Sequence, residues 1–191
     1  MSRLEAVEIK LSDLKIENEY FRIDSEFFKK TFVELDKKMR IKECYKISDI
    51  AIVTDGEHGS PILDDNSNIV YLSGNNILEN MINFDDVRYC ALELHNKNLR
   101  SALIYENVLM SIVGTVGRAA VFNKNIIGNT DRNVATIKKL NECFNPYYLS
   151  TFLNCKYGKF QTKRFSTGNV QPLLNLLQVK NMRVRATLNI A

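Results

Sequence analysis

The chain has 191 residues, of which 45% are apolar and 25% charged, and its formal net charge is +4. This length supports one sizeable hydrophobic core, or one core with a small appendage. No stretch approaches the roughly 18 apolar residues of a membrane-spanning helix, and the N-terminus lacks the apolar region of a signal peptide, so we expect a cytoplasmic protein with no membrane contact.

The first predicted element is a helix over residues 24–40, after a mixed and partly extended segment. Asp24 or Ser25 would cap its N-terminus. One helical face carries an apolar stripe of Phe28, Phe32, Leu35 and Met39. Such a stripe is too large to stay in contact with water, so we predict that the rest of the chain or another chain covers it.

Short strands and turns follow from Lys46 onward, because short apolar runs alternate with Gly, Asn and Ser. The predicted turns lie at 114–117 and 128–129. The predicted strands are 47–53 with a short helical turn, 69–72, 102–105, 108–113, 119–122 and 134–137.

A second long helix is predicted from Asn145-Pro146 to about Arg164, since proline suits the first helical position. Its inner face would be Leu149, Phe152, Leu153, Tyr157 and Phe160. A short helix opening at Pro172 and a final strand over 182–188 complete an α+β fold. We expect a twisted, largely antiparallel sheet with flanking helices, divided into an N-terminal segment (1–45) and a main domain (46–191).

Positive charge is concentrated at the C-terminus. After Glu142 there is no acidic residue, whereas seven of the 26 cations lie there, so this quarter carries +7 in a chain of +4 overall. Lys156, Lys159 and Lys163, the lysine stripe, are spaced to share one helix face. A block of one sign attracts polyanions, and nucleic acid is the obvious one. A solvated basic face is the alternative interpretation.

No motif for catalysis or metal binding is complete. Cys90 and His95 are only two ligands, and none of the four cysteines forms a Cys-x-x-Cys pair, so we predict reduced thiols and no metal. The sequence at 145–148 lacks the second proline of an adenine methyltransferase loop, and the turn at 114–117 lacks the Gly-Lys-Ser ending of a phosphate-binding loop. We therefore predict no enzyme activity and no cofactor.

Several short motifs follow one another in a fixed order along the chain. Asn76-Ile77 forms a turn after a strand, and the 114–118 sequence, Gly-Thr-Val-Gly-Arg, forms a "GxxGR" turn. The other stretches of this series are 21–28, 47–50, 55–61, 71–75, 108–113, 133–137, 145–149 and 167–172. Together they resemble the target recognition domain of the DNA specificity subunit of type I restriction–modification systems. The family has two such domains and this chain has one, so a half-subunit, a homodimer and a piece of a larger chain are all open alternatives.

The resemblance implies sequence-specific binding of duplex DNA in a complex with an adenine methyltransferase (modification) subunit, with a restriction subunit as a further candidate partner. Basic side chains would hold phosphates and polar loop side chains would read base edges. The candidate phosphate contacts are Arg118, Lys156, Lys159, Lys163 and Arg164. The candidate base readers are His58, Ser60, Asn75, Asn129, Arg132 and Asn169. The alternative functions are a protein-interaction module with a basic face and an orphan nuclease.

Overall fold

The computed structural model describes residues 6–15, 18, 22–41, 43–168 and 170–186. Its α-helices are α1 Leu11–Lys15, α2 Lys30–Ile41, α3 Ile47–Ile50, α4 Leu92–Lys97, α5 Pro146–Asn154, α6 Lys156–Phe165 and α7 Leu176–Asn181. Its strands are β1 Cys44–Lys46, β2 Ile52–Asp55, β3 Val70–Leu72, β4 Ile77–Leu78, β5 Met81–Ile82, β6 Arg88–Tyr89, β7 Val108–Ser111, β8 Ala119–Val121, β9 Gly128–Thr130, β10 Val134–Lys138 and β11 Arg183–Arg185.

A four-stranded antiparallel sheet in the order β2-β10-β7-β8 forms the centre of the fold. All four residues of β7 are buried, as the unbroken apolar run predicted. On one side of the sheet α3, α5 and α7 complete the main core, with Leu149, Leu153 and Val179 fully buried. The predicted α+β class with flanking helices is confirmed.

A smaller three-stranded sheet has the order β6-β3-β9, and β3 runs parallel to β9. The predicted turn at 128–129 is therefore wrong. A Cβ at Gly128 would lie 2.6 Å from Val70 Cγ2, so glycine here permits close strand approach rather than a turn. Residues 102–105, predicted as a strand, run as irregular chain beside it.

The long C-terminal helix predicted for 145–164 is two helices. Asn145 caps α5 through its Oδ1, which accepts from the backbone of Tyr147 and Tyr148, as expected. Cys155 is extended, however, and Gly158 packs so closely that a Cβ would lie 2.1 Å from the Leu153 carbonyl oxygen. The chain turns there, which leaves Tyr157 41% and Phe160 37% exposed instead of on the buried inner face predicted for one long helix.

Helix α2 begins six residues later than predicted, because the Asp24 carboxylate accepts from the Phe27 N–H and closes a preceding turn. The predicted apolar stripe is covered in part, since Phe28 and Leu35 are only half-buried. Phe32 and Met39 are buried, and the Phe32 ring meets the edge of Phe160 on α6 at 6.0 Å.

At the C-terminal end, Asn175 rather than Pro172 starts the last helix, and its side chain accepts from the Gln178 N–H. The final strand β11 pairs with β1, while positions 187–188 of the predicted strand lie outside the described residues. Within the described part of the chain, no helix is both long enough and apolar enough to cross a membrane.

We predict that Asn154→Ala lowers the free energy of unfolding by about 2–3 kcal/mol. The Asn154 Oδ1 accepts from the Ala119 N–H on edge strand β8, and its Nδ2 donates to the Ala119 carbonyl. Ala119 is completely buried, so its N–H would lose its acceptor without gaining water. Urea unfolding measures the effect, with Thr151→Ala on the exposed face of α5 as control. Equal stability of the two variants would contradict this role for Asn154.

Candidate nucleic-acid interface

The turn at 130–133, which links β9 of the small sheet to β10 of the central sheet, is held from two sides. The Asp131 N–H donates to the Leu72 carbonyl at 2.9 Å. On the other side, the Glu57 N–H donates to the Thr130 carbonyl and the Arg132 N–H to the Glu57 carbonyl, both at 3.0 Å. These bonds place residues 55–60 and 73–76 on opposite flanks of the turn.

A polar groove of about 700 Å³ opens on the 73–76 side of the turn, where segments 73–76 and 113–115 face Asp131 and Asn133. Gly74 lies against Asn133 on one side, and Gly114, at φ +74°, lies close to the Gln171 amide on another. We call segments 55–60, 73–76, 113–115 and 130–133 the recognition loops. The polar side chains that line the groove are Ser73, Asn75, Asn76, Asn83, Asp86, Arg88, Thr115, Asp131, Asn133 and Gln171. Amide, carboxylate and guanidinium groups together suit a ligand that presents both donors and acceptors.

The loop at 55–60 is anchored by Asp55, which is only 8% exposed. One Asp55 oxygen lies 2.7 Å from His58 Nε2, and the other accepts from Arg100 Nη1 at 3.0 Å. Arg100 also donates to the Gly56 carbonyl. The His58 ring is therefore held at one nitrogen while most of it remains exposed.

Glu57 adds a second anchor to the same loop. The Gly59 N–H holds the pKa of the Glu57 carboxyl below its ordinary value, and the Asn98 amide acts in the same direction. Glu57 is consequently ionised at neutral pH and stays available as an acceptor for both donors.

Four of the predicted readers lie exposed on the recognition loops: His58, Ser60, Asn75 and Arg132. The prediction of Asn129 as a base reader is wrong. The residue is 1% exposed in β9, and its Nδ2 donates to the Asn98 carbonyl and to Ser101 Oγ, so the amide is used inside the protein. Asn169 lies outside the described residues.

The lysine stripe is exposed on α6, as the spacing predicted. Lys159 has an acidic partner that the sequence did not reveal, because its Nζ lies 2.7 Å from Glu79 Oε1. The turn before Arg118 contacts this helix, since a Cβ at Gly117 would lie 2.7 Å from Thr162 Cγ2. Half-buried Arg118 is therefore close to the α6 surface.

Arg164 does not belong to this exposed basic surface, which corrects its prediction as a phosphate contact. Its guanidinium lies 4.5 Å from the Phe27 ring centroid, donates to the Phe27 carbonyl and pairs with Asp36. Only 13% of the Arg164 side chain is exposed. The residue joins the N-terminal segment to α6.

Three residues that line the groove were not predicted as site residues: Arg88, Asn133 and Gln171. Asp131-Arg132-Asn133 does carry a local signal, because Asp commonly accepts from the N–H two residues later and forms a turn. Arg88 and Gln171 carry no such signal, since only strand pairing and the 171–173 segment bring them to the groove.

No family model matches the sequence, and no curated protein matches it. Among solved structures, a chain of a type I restriction–modification system superposes with a TM-score of 0.55 at 10% identity, over 81% of this chain and 40% of the other. The HsdS subunit from Thermoanaerobacter tengcongensis gives 0.54 at 11% identity, over 82% and 40% of the two chains.

The type IIG restriction endonuclease BpuSI superposes with a TM-score of 0.61 at 11% identity, over 88% of this chain and 27% of the enzyme. The chain thus spans less than half the length of each of these neighbours. At such identities the likeness establishes the fold alone.

We predict that Gly56→Ala displaces the 55–60 loop and destabilises the protein by about 1–3 kcal/mol. A Cβ at position 56 would lie 1.8 Å from the Thr130 carbonyl oxygen, which is backbone and has no room to move. Thermal unfolding measures the effect. Gly59→Ala is the control, because a Cβ there would lie 3.0 Å from the Glu57 carboxylate, a side-chain group, and would meet no backbone atom. Equal losses in the two variants would contradict the close approach at Gly56.

Proposed function

We propose that this chain, which has the fold of the target recognition domain of a type I restriction–modification specificity subunit, binds duplex DNA and reads a short base sequence. The observation that carries the proposal is a polar groove lined by three of the recognition loops, 73–76, 113–115 and 130–133. The fourth loop, 55–60, is hydrogen-bonded to the other side of the same turn, and α6 adds exposed cations elsewhere on the surface. Base edges in the major groove present donors and acceptors in a sequence-dependent pattern that such side chains match.

Two parts of the surface would bind different parts of the DNA. Lys156, Lys163 and Arg118 would contact phosphates and set the register of the protein on the duplex. His58, Ser60, Asn75 and Arg132 would reach the bases, because they project from loops that are tied to the sheets at their roots. Lys159 would contribute less, since Glu79 already neutralises it.

We assign the recognition role to residues 46–191 and a supporting role to residues 1–45. The contacts of Arg164 with Phe27 and Asp36 support this division, because they use a cation of the recognition domain to hold the N-terminal segment. Further chain or a second copy would supply the other half of a bipartite DNA target.

We also propose that the chain performs no methyl transfer or cleavage itself and acts with an adenine methyltransferase subunit. A methyltransferase loop would use the Asn145-Pro146 pair at a cofactor site. Here Asn145 caps α5 and Pro146 is its first residue. The DNA-cleaving neighbour BpuSI shares its fold with this chain over only 27% of its length.

The proposal is tested by selecting bound duplexes from a random pool with the purified chain, alone and with the candidate methyltransferase subunit. Enrichment of one short sequence supports it. Two added arms separate the alternatives: polyglutamate competitor detects a protein-interaction module with a basic face, and incubation with magnesium detects a nuclease. Binding without sequence enrichment, or cleavage by the chain alone, would overturn the proposal.

We predict that replacing Lys156 and Lys163 together with Ala flattens the slope of log affinity against log salt by about 2. Each phosphate contact releases about 0.9 counterion, so two lost contacts account for this change. Affinity should fall alike for every sequence, and base preference should survive. Fluorescence anisotropy at several salt concentrations provides the measurement.

Two variants control this prediction. Lys37→Ala with Lys38→Ala removes two exposed cations from α2 and should leave the slope unchanged. Glu79→Ala frees Lys159 and should steepen the slope by about 1. An unaltered slope in the Lys156 and Lys163 variant would identify the stripe as an ordinary solvated surface.

A further inference from the structure

Asn133 occupies a central position in the polar groove. It lies at the start of β10, in the turn that both flanking loops contact, and its carbonyl accepts from the Ile112 N–H, which fixes its backbone. Gly74 lies directly against it: a Cβ at position 74 would be 3.6 Å from Asn133 Cβ. The Asn133 side chain is half-buried and lines the groove.

Asp131 determines which way the Asn133 amide faces. One Asp131 oxygen accepts from the Asn133 backbone N–H at 2.8 Å, and the other accepts from Asn133 Nδ2 at 3.1 Å. A flipped amide would place Oδ1 against a carboxylate oxygen, two acceptors with no hydrogen between them. The orientation of the Asn133 amide is therefore set by the protein before any ligand arrives.

The carboxylate leaves one defined pair of groups available. The bond from Nδ2 uses one of its two hydrogens. Because the same carboxylate holds the Asn133 backbone N–H, it approaches from the backbone side, and we infer that it takes the hydrogen on the Cβ side. The hydrogen beside Oδ1 remains, so the amide presents one donor and one acceptor next to each other. Adenine presents the complementary pair in the major groove, the N7 acceptor and the N6 donor.

We propose that Asn133 reads an adenine in the DNA target, with Asp131 as its positioning residue. The inference rests on the proposed function and adds a specificity-determining residue to it. Guanine offers two acceptors, N7 and O6, and would place O6 against Oδ1. Thymine offers an acceptor and a methyl group, and cytosine a lone donor, so only adenine satisfies both groups of the fixed amide.

Charges of both signs surround the pair. Burial raises the pKa of the Asp131 carboxyl above its ordinary value, and the bonds from Asn133 and the charges of Arg88 and Arg132 oppose that rise. Arg88 lies 5.4 Å from the Tyr71 ring centroid at the same groove. Arg88 and Arg132 therefore act against the negative charge of Asp131, while Asp86 adds a second carboxylate to the groove lining.

The test substitutes analogues for each adenine of the selected sequence in turn: 7-deazaadenine, which lacks the N7 acceptor, and purine, which lacks the N6 donor. At one adenine, each analogue should weaken binding of the unaltered protein, and exchange for guanine should weaken it roughly 5- to 150-fold. Asn133→Ala should bind adenine and its analogues equally there, with an unchanged salt slope. Asp131→Asn should reduce the analogue effect, because its amide orients Asn133 less strictly.

Asn66→Ala is the matched control, since Asn66 also donates its backbone N–H to an aspartate two residues earlier but lies exposed outside the groove. It should keep the full analogue effect. An enriched sequence in which no adenine analogue weakens the unaltered protein would overturn the role of Asn133 and leave DNA recognition standing, whatever the stability of the variants. Absence of any enriched sequence would instead overturn the proposed function.

Discussion

The arrangement of this protein depends on the hydrogen bonds that fix the turn at 130–133. The segment from Gly128 to Lys138 contributes a strand to each sheet, so this turn is where the small sheet joins the central one. Leu72 and Glu57 bind its backbone from opposite sides. Loops are usually the mobile part of a fold, but these are tied at their roots, so they present polar side chains at defined positions. A binding site built this way needs little ordering when its ligand arrives, which favours affinity.

Much of the fold could be predicted from local pattern. The apolar run of β7, the Asn145 cap and the glycine turn at 114–117 each follow from a rule that operates within a few residues. The errors arose where distant contacts outweigh local preference. Gly-Asn at 128–129 has turn composition, yet the glycine is required by Val70, which lies far away in sequence. Likewise the break between α5 and α6 lies at Cys155, and Gly158 in the next turn permits it, because its missing side chain lets the backbone approach Leu153.

At the candidate site, too, distant contacts decide what local sequence cannot predict, in this case which charges remain exposed. In sequence the C-terminal quarter has no anion, but in space Glu79 meets Lys159 and Asp36 meets Arg164. Composition could predict a basic surface, whereas only the fold shows which cations remain exposed there. Asn129 was predicted as a reader from its residue type, and the strand it occupies turns it inward. Asn133, four residues later, has the same side chain and lies at the groove.

The central claim is that one surface of the domain reads bases and a separate surface binds the DNA phosphate backbone. Amide chemical-shift mapping by NMR tests it most directly, with the protein titrated against its selected duplex and against a scrambled one. The account predicts that residues 56–60, 73–76 and 131–133 shift with the selected duplex alone, while the exposed face of α6 shifts with both. Identical shifts with the two duplexes, or shifts confined to α6, would contradict it.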